Sequence, residues 1–285
     1  MGQQIDTRAV GLDTGLALIR WLTGAENLHY GLWTGLEVTA GNLRAAQDAY
    51  TARLFGELPP GPLRILDIGG GAGETACKLG ALGHRVDIVV PSAYLADCCR
   101  KTAPEAQVHQ CTFEQFEGAG PYDLCLFSES FQYIPMMDSL PKCARLLAPG
   151  GHVLIADCFR TDAYISRADH GPQPGGGHRL SSLRAALISV PFELIVEADI
   201  TEGVAPSIDL EQGLFNVIGT GVSRSAEEIA AKKPLVNWLL TRAIRLFVSR
   251  TRRENLMQRL TAKDRTSAAF LIYNRYMILK LARKP

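Results

Sequence analysis

The chain has 285 residues, 47% of them hydrophobic, with 30 Lys+Arg against 29 Asp+Glu. That length carries one large domain or two small ones around a sizeable core, and 21% charged residues without a low-complexity segment exclude wholesale disorder. The apolar runs fall far short of about 18 uncharged residues, so no membrane-spanning helix is expected.

The opening MGQQIDTRAVGLDTG lacks a basic stretch followed by an apolar run, so no secretory leader is expected, and Asp6 stands where a myristoylation motif wants Ser or Thr. Residues 12–58 read as helical from the spacing in LALIRWLTG and NLRAAQDAYTARLFGEL, and Pro59-Pro60-Gly61-Pro62 ends that region. Short apolar runs then alternate with amphipathic stretches. Strands are expected at 64–69, 85–90, 108–111, 122–128 and 151–159, with helices at GETACKLGALG, SAYLADCCRKTA and MDSLPKCARLL between them. Nearly all-apolar strands alternating with helices argue a parallel sheet covered on both faces, in a doubly wound α/β fold. A Gly-rich loop, PGGGHRL, leads into another helix. FELIVEADIT (192–201) and AAFLIYNRYMILKLARK (268–284) read as two more strands.

The sixty-odd residues between those strands exceed any hairpin loop, so 203–265 reads as an inserted helical cap. The organisation expected is 1–62 as an N-terminal helical lid, 63–202 as the core, 203–265 as the cap and 266–285 as the last strand. Charge divides the same way. Residues 231–285 hold 14 Lys+Arg and 2 Asp+Glu, leaving 16 basic and 27 acidic residues in 1–230. In PLVNWLLTRAIRLFVSRTRREN, apolar residues at helical spacing are ringed by Arg242, Arg245, Arg250, Arg252 and Arg253. That stretch could dock on anionic lipid, bind an anionic acceptor, or pack on the acidic body with its arginines solvated. All seven cysteines lie between Cys77 and Cys158 without zinc-like spacing, which fits reduced, packed thiols in a cytoplasmic protein and no metal.

The most informative string is Leu66-Asp67-Ile68-Gly69-Gly70-Gly71-Ala72-Gly73, which follows a strand and opens a helix. A dinucleotide loop wants GxGxxG, but Glu74 occupies the last glycine position, and a GxxxxGKS/T phosphate loop is absent. Asp67 would repel a diphosphate and suits an ammonium group.

With PYDLCLFSESFQYI and LLAPGGHVLIAD, this loop resembles the class I S-adenosylmethionine-dependent methyltransferases over roughly residues 64–160. The resemblance implies a Rossmann-like, mostly parallel seven-stranded sheet and S-adenosylmethionine as cofactor. It implies that Asp67, Gly69, Gly71 and Gly73 cradle the methionine end, that Thr112, Phe113 and Glu114 meet adenine, and that Ser128 meets the methionine part. It departs from the family where the ribose-binding acid should end the second strand, because Val90 stands there and Asp87 lies three residues early. A similar loss occurs in the branch that includes the tocopherol methyltransferases. HYGLW (29–33) and DITEGVAPS (199–207) are similar to strings of that branch and imply that Tyr30 closes over the cofactor carboxylate.

Methyl transfer is an in-line displacement that needs alignment and exclusion of water, and a base only where the acceptor loses a proton. The candidates are Glu129, Tyr133 and His178. Glu129 follows the fourth strand and serves either as base or as a solvated capping carboxylate. Tyr133 either transfers a proton or packs on the cofactor, and His178 either reaches the acceptor or is an ordinary loop histidine. A small, amphipathic or anionic acceptor is expected rather than nucleic acid, since no (D/N)PP(Y/F) motif or nucleic-acid module is present. O-, N- and C-methylation stay open, as do a non-methylating reaction with the same cofactor and a cofactor-binding scaffold without turnover.

Overall fold

The computed structural model describes residues 7–166, 175–247, 249, 250, 254, 257, 260 and 265–284. The first part of the Gly-rich loop, through Pro174, and Arg252 and Arg253 of the cap lie outside the described residues.

Seven strands form one sheet in the order β3-β2-β1-β4-β5-β7-β6. They are β1 (Arg64–Ile68), β2 (Arg85–Val89), β3 (Gln107–His109), β4 (Tyr122–Ser128), β5 (Leu147–Arg160), β6 (Phe192–Asp199) and β7 (Asn274–Arg283). The pairs from β3 through β5 are parallel, and β7 runs antiparallel to both β5 and β6. Period-two alternation sends Ile65, Leu124 and Leu154 into one core and Leu66, Cys125 and Ile155 into the other. Burial on both faces explains why the inner strands carry almost no polar residues. At the edge, β6 alternates buried with exposed residues, as a strand covered on one face must.

The helices α3 (Glu74–Ala81), α4 (Ala93–Thr102), α5 (Met136–Leu146) and α7 (Leu180–Ser189) supply the crossovers, with a short α6 (Asp162–Ile165) between β5 and α7. The N-terminal region is α1 (Thr7–Thr23) and α2 (Leu43–Phe55), joined by an irregular stretch where continuous helix was expected. That stretch is held by long-range bonds: Leu32 N donates to Ala46 O and Trp33 N to Gly203 O. The cap contains α8 (Thr201–Val204), α9 (Pro206–Lys232) and α10 (Pro234–Phe247).

The expected last strand begins later than its apolar run. Residues Ser267–Tyr273 form a helix, α11, whose cap Thr266 accepts a hydrogen bond from Ala269 N at 3.2 Å. A short apolar run does not separate strand from helix, and the threonine cap with two alanines decides it locally. No helix among the described residues is long and apolar enough to cross a membrane.

Candidate active site

At the carboxyl ends of β1, β2 and β4 lies a cavity of about 420 Å³, a size that encloses a ligand of drug-like dimensions. Its floor is the turn from β1 into α3. Gly71 has φ of +56°, a conformation that costs a residue with a Cβ about 1–2 kcal/mol, and a Cβ there would meet Leu28 Cδ1 at 3.8 Å without a clash. Gly69 answers a different need: a Cβ there would sit 2.4 Å from the Cβ of Ser130. Gly73 does not line the cavity. A Cβ on it would lie 2.9 Å from Cys99 Cα, so its role is the close approach of α3 to α4.

Asp67 lines the cavity, is 1% exposed, and its Oδ2 has no hydrogen-bond partner among the described residues. Burial alone pushes its carboxyl up to about 7. Asn27, also in the wall, is 2% exposed and leaves both Oδ1 and Nδ2 unpartnered. Buried polar atoms without partners cost roughly 1–3 kcal/mol each, so the pair calls for a ligand with a cation and an acceptor-rich group. A free α-amino-acid end has that chemistry, and the residues fit it.

The side walls hold Thr112, Phe113 and Glu114 beyond β3, and Ser128, Glu129 and Tyr133 beyond β4. Val90 lines the cavity as a fully apolar residue, while Asp87 turns away to accept hydrogen bonds from Tyr122 Oη at 2.5 Å and Arg64 Nη2 at 3.1 Å. No acid at the end of β2 therefore faces the cavity. Glu26 does line it, but its carboxylate is occupied by Arg20 at 2.7 Å and Thr102 Oγ1 at 2.8 Å.

Glu129 adopts φ of +56°, the left-handed region, directly after β4. That turn sends its carboxylate inward, where Oε1 accepts from Tyr30 N at 2.7 Å and Tyr276 Oη at 2.8 Å. Tyr276 Oη also lies 2.9 Å from Tyr50 Oη, which lies 3.1 Å from Ser128 Oγ. Burial pushes the Glu129 carboxyl up to about 8, against the two hydrogen bonds, which favour ionisation. Asp157, beneath the loop after β4, is likewise raised by burial to about 7 while it accepts from Gln132 N and Cys158 N. Glu129 is thus half-buried, with Oε1 held by two internal hydrogen bonds.

Two expected residues lie elsewhere. His178 does not line the cavity: its Nε2 is 3.1 Å from Phe131 O and 2.9 Å from Ile134 O, and its ring stands edge-on to Phe131. It pins the segment that carries Tyr133. The half-buried Tyr30 also stays outside the wall; Glu26, Asn27, Leu28 and His29 form that part of it instead. Nothing in the sequence singles out Glu26, Asn27 and Leu28, which precede the HYGLW string that His29 opens.

A family model described as a methyltransferase domain matches residues 40–189. The chain is 31% identical over 165 residues to the ubiquinone biosynthesis O-methyltransferase of Caulobacter sp. (strain K31), covering 49% of this chain and 63% of that protein. It is 33% identical over 125 residues to the tRNA 5-carboxymethoxyuridine methyltransferase of Escherichia coli (strain K12), covering 40% and 47% respectively. The chain thus spans less than two thirds of the length of either relative. Among solved structures, the cyclopropane synthase MmaA2 from Mycobacterium tuberculosis superposes with a TM-score of 0.68 at 18% identity, over 99% of this chain and 100% of that one.

Proposed function

From the fact that the chain belongs to the methyltransferase-domain family, we propose that its cavity holds S-adenosylmethionine and that it methylates a small amphipathic acceptor. The observation that carries this reading is the buried, unpartnered Asp67 carboxylate over a glycine floor, with the unpartnered Asn27 amide in the same wall. In this reading Asp67 meets the ammonium of the methionine end and Asn27 Nδ2 its carboxylate. Gly69 and Gly71 let the ligand lie on the backbone. Thr112, Phe113 and Glu114 border the adenine and Ser128 the methionine part.

When bound, the cofactor supplies an electrophilic methyl group on a sulfonium. The protein's work is to align the acceptor with it and keep water out. Glu129 has a carboxyl tuned to the neutral range, and it takes the proton that a hydroxyl or amine acceptor releases. Tyr276 and Tyr50 hold that carboxylate in place. Tyr133 contributes a side chain at the rim, where it is 55% exposed.

Five carboxylate residues line the cavity (Glu26, Asp67, Glu74, Glu114 and Glu129), and no lysine or arginine does among the described residues. That lining disfavours an anionic acceptor or a phosphodiester and supports a neutral, amphipathic one, although one relative acts by name on a tRNA. The test is calorimetric titration with S-adenosylmethionine, followed by product analysis on phenolic, amine and isoprenoid acceptors. Binding followed by a methylated product supports the reading. Absence of binding by folded protein overturns it, and binding without turnover on any acceptor makes the chain a scaffold.

A further inference from the structure

The first half of helix α10 exposes apolar side chains, against the usual rule for amphipathic helices. Among its described side chains, which run through Arg242, the half-buried ones are Asn237 and Thr241, one helical turn apart, and the helix packs on α9. Its outward side shows Leu235 at 79% exposure, Trp238 at 53% and Leu239 at 59%, with Val236 and Leu240 also exposed. Arg242 stacks on the Trp238 ring at 4.5 Å, and Lys232 and Lys233 stand at the entry to the helix. No acidic residue occurs in PLVNWLLTRAIRLF.

We propose that this outward face of α10 is a docking surface for an anionic phospholipid bilayer. Exposed aliphatic side chains at helical spacing, an aromatic ring at their edge and flanking cations are the chemistry of a helix lying in a lipid–water interface. Charge selects the source. Residues 1–230 hold 16 basic and 27 acidic residues, so the body is repelled by an anionic surface that residues 231–285, with 14 basic and 2 acidic, approach. A second copy packed face to face would oppose cation to cation. A phosphodiester partner would gain nothing from five exposed apolar side chains.

The neighbouring helix gives the contact a place in the molecule. At its start, Ser207 Oγ accepts from Gly31 N and Trp33 Nε1, so the cap is anchored to the segment that walls the cavity. Docking through α10 therefore ties the body to the bilayer, the phase in which an apolar acceptor is concentrated. The docking itself stands whether or not the chain transfers a methyl group.

The experiment is flotation of the full chain with vesicles of equal parts phosphatidylglycerol and phosphatidylcholine, with phosphatidylcholine alone as control. We expect flotation with the anionic vesicles only, weakening as salt screens the charges. Replacing Lys233 and Arg242 by Gln should lower partitioning about 30-fold. The triple variant Leu235→Glu, Trp238→Glu, Leu239→Glu should lose at least about tenfold while keeping the wild-type melting temperature, since all three side chains are exposed. In a Trp21→Phe background, which removes the other exposed tryptophan, vesicles should shift Trp238 emission to the blue. The proposal is overturned if wild type does not float, or if the triple variant floats as wild type does. It is equally overturned if that variant changes only the oligomeric state or a tRNA gel shift.

Discussion

Asp67 carries a carboxylate that the protein buries and does not neutralise. An ammonium brought against it lowers its pKa from about 7, so binding of S-adenosylmethionine near pH 6 should release a proton. Calorimetry in two buffers of different ionisation enthalpy reads this as a buffer-dependent heat, and Asp67→Asn should abolish the dependence and weaken binding at least tenfold. Asn27→Ala removes the other unpartnered group and is expected to weaken binding by about 1–3 kcal/mol without loss of apo stability, because no internal hydrogen bond of the side chain is lost. Gly71→Arg places a side chain in the cavity beside Leu28 and should eliminate binding outright, with a stability cost of about 1–2 kcal/mol from the left-handed backbone. Retained cofactor affinity in that variant would move the ligand away from the glycine turn.

At the scale of elements, the loop after β4 is held from two sides. His178 grips the carbonyls of Phe131 and Ile134 from the loop before α7, and Tyr276 on β7 grips Glu129. His178→Ala should lower stability by about 0.5–1.5 kcal/mol in urea unfolding, since the Nε2 hydrogen bond shared by the carbonyls of Phe131 and Ile134 is lost. If it acts only by positioning Tyr133, KM should rise more than kcat falls, and the pH profile should not move. Tyr276→Phe removes a donor that favours the ionised form of Glu129, so the alkaline shift of the Glu129 carboxyl should increase and the activity profile should move to higher pH. These elements also show what sequence can disclose. The β1–Gly–α3 unit was legible because an apolar strand, an acid and glycines at positive φ are local demands met by adjacent residues. The wall from Glu26 to His29 was not, because its form is set by Gln47, Glu74 and Thr102, far along the chain. Asn27 is an unremarkable letter until burial strips it of water. His178 looked reactive from a flexible neighbourhood, and only its two carbonyl partners reveal a fastener. The start of β7 was misplaced because Ser267–Tyr273 satisfies both periodicities.

Across the described residues of the molecule, desolvation raises three carboxyls: Asp67 and Asp157 to about 7 and Glu129 to about 8. In the unfolded chain such groups ionise near pH 4, so between about pH 4 and 8 the native state holds protons that the unfolded state has released. Their contribution to stability therefore falls as pH rises through that window and levels off above it. His29, kept neutral by burial with a pKa near 4, acts in the opposite sense only as pH drops below its unfolded value of about 6.5. The melting temperature of the ligand-free chain should accordingly decrease from pH 6.5 to 8.5, and Glu129→Gln should flatten the upper part of that slope. An increase over the same interval would mean that these carboxyls find partners in solution.

The position of β7 between β5 and β6 has a consequence for synthesis. β6 bonds to no strand but β7, and residues 200–273 separate the two in the chain. On the ribosome β6 must wait for that intervening length to be made, roughly 4–15 s at ordinary elongation rates. During that interval its hydrogen-bonding edge and the apolar residues Phe192 and Leu194 lack their final neighbours. Until then that edge is open to pairing with another extended segment, and pulse proteolysis of stalled nascent chains should find β6 cut until β7 has emerged.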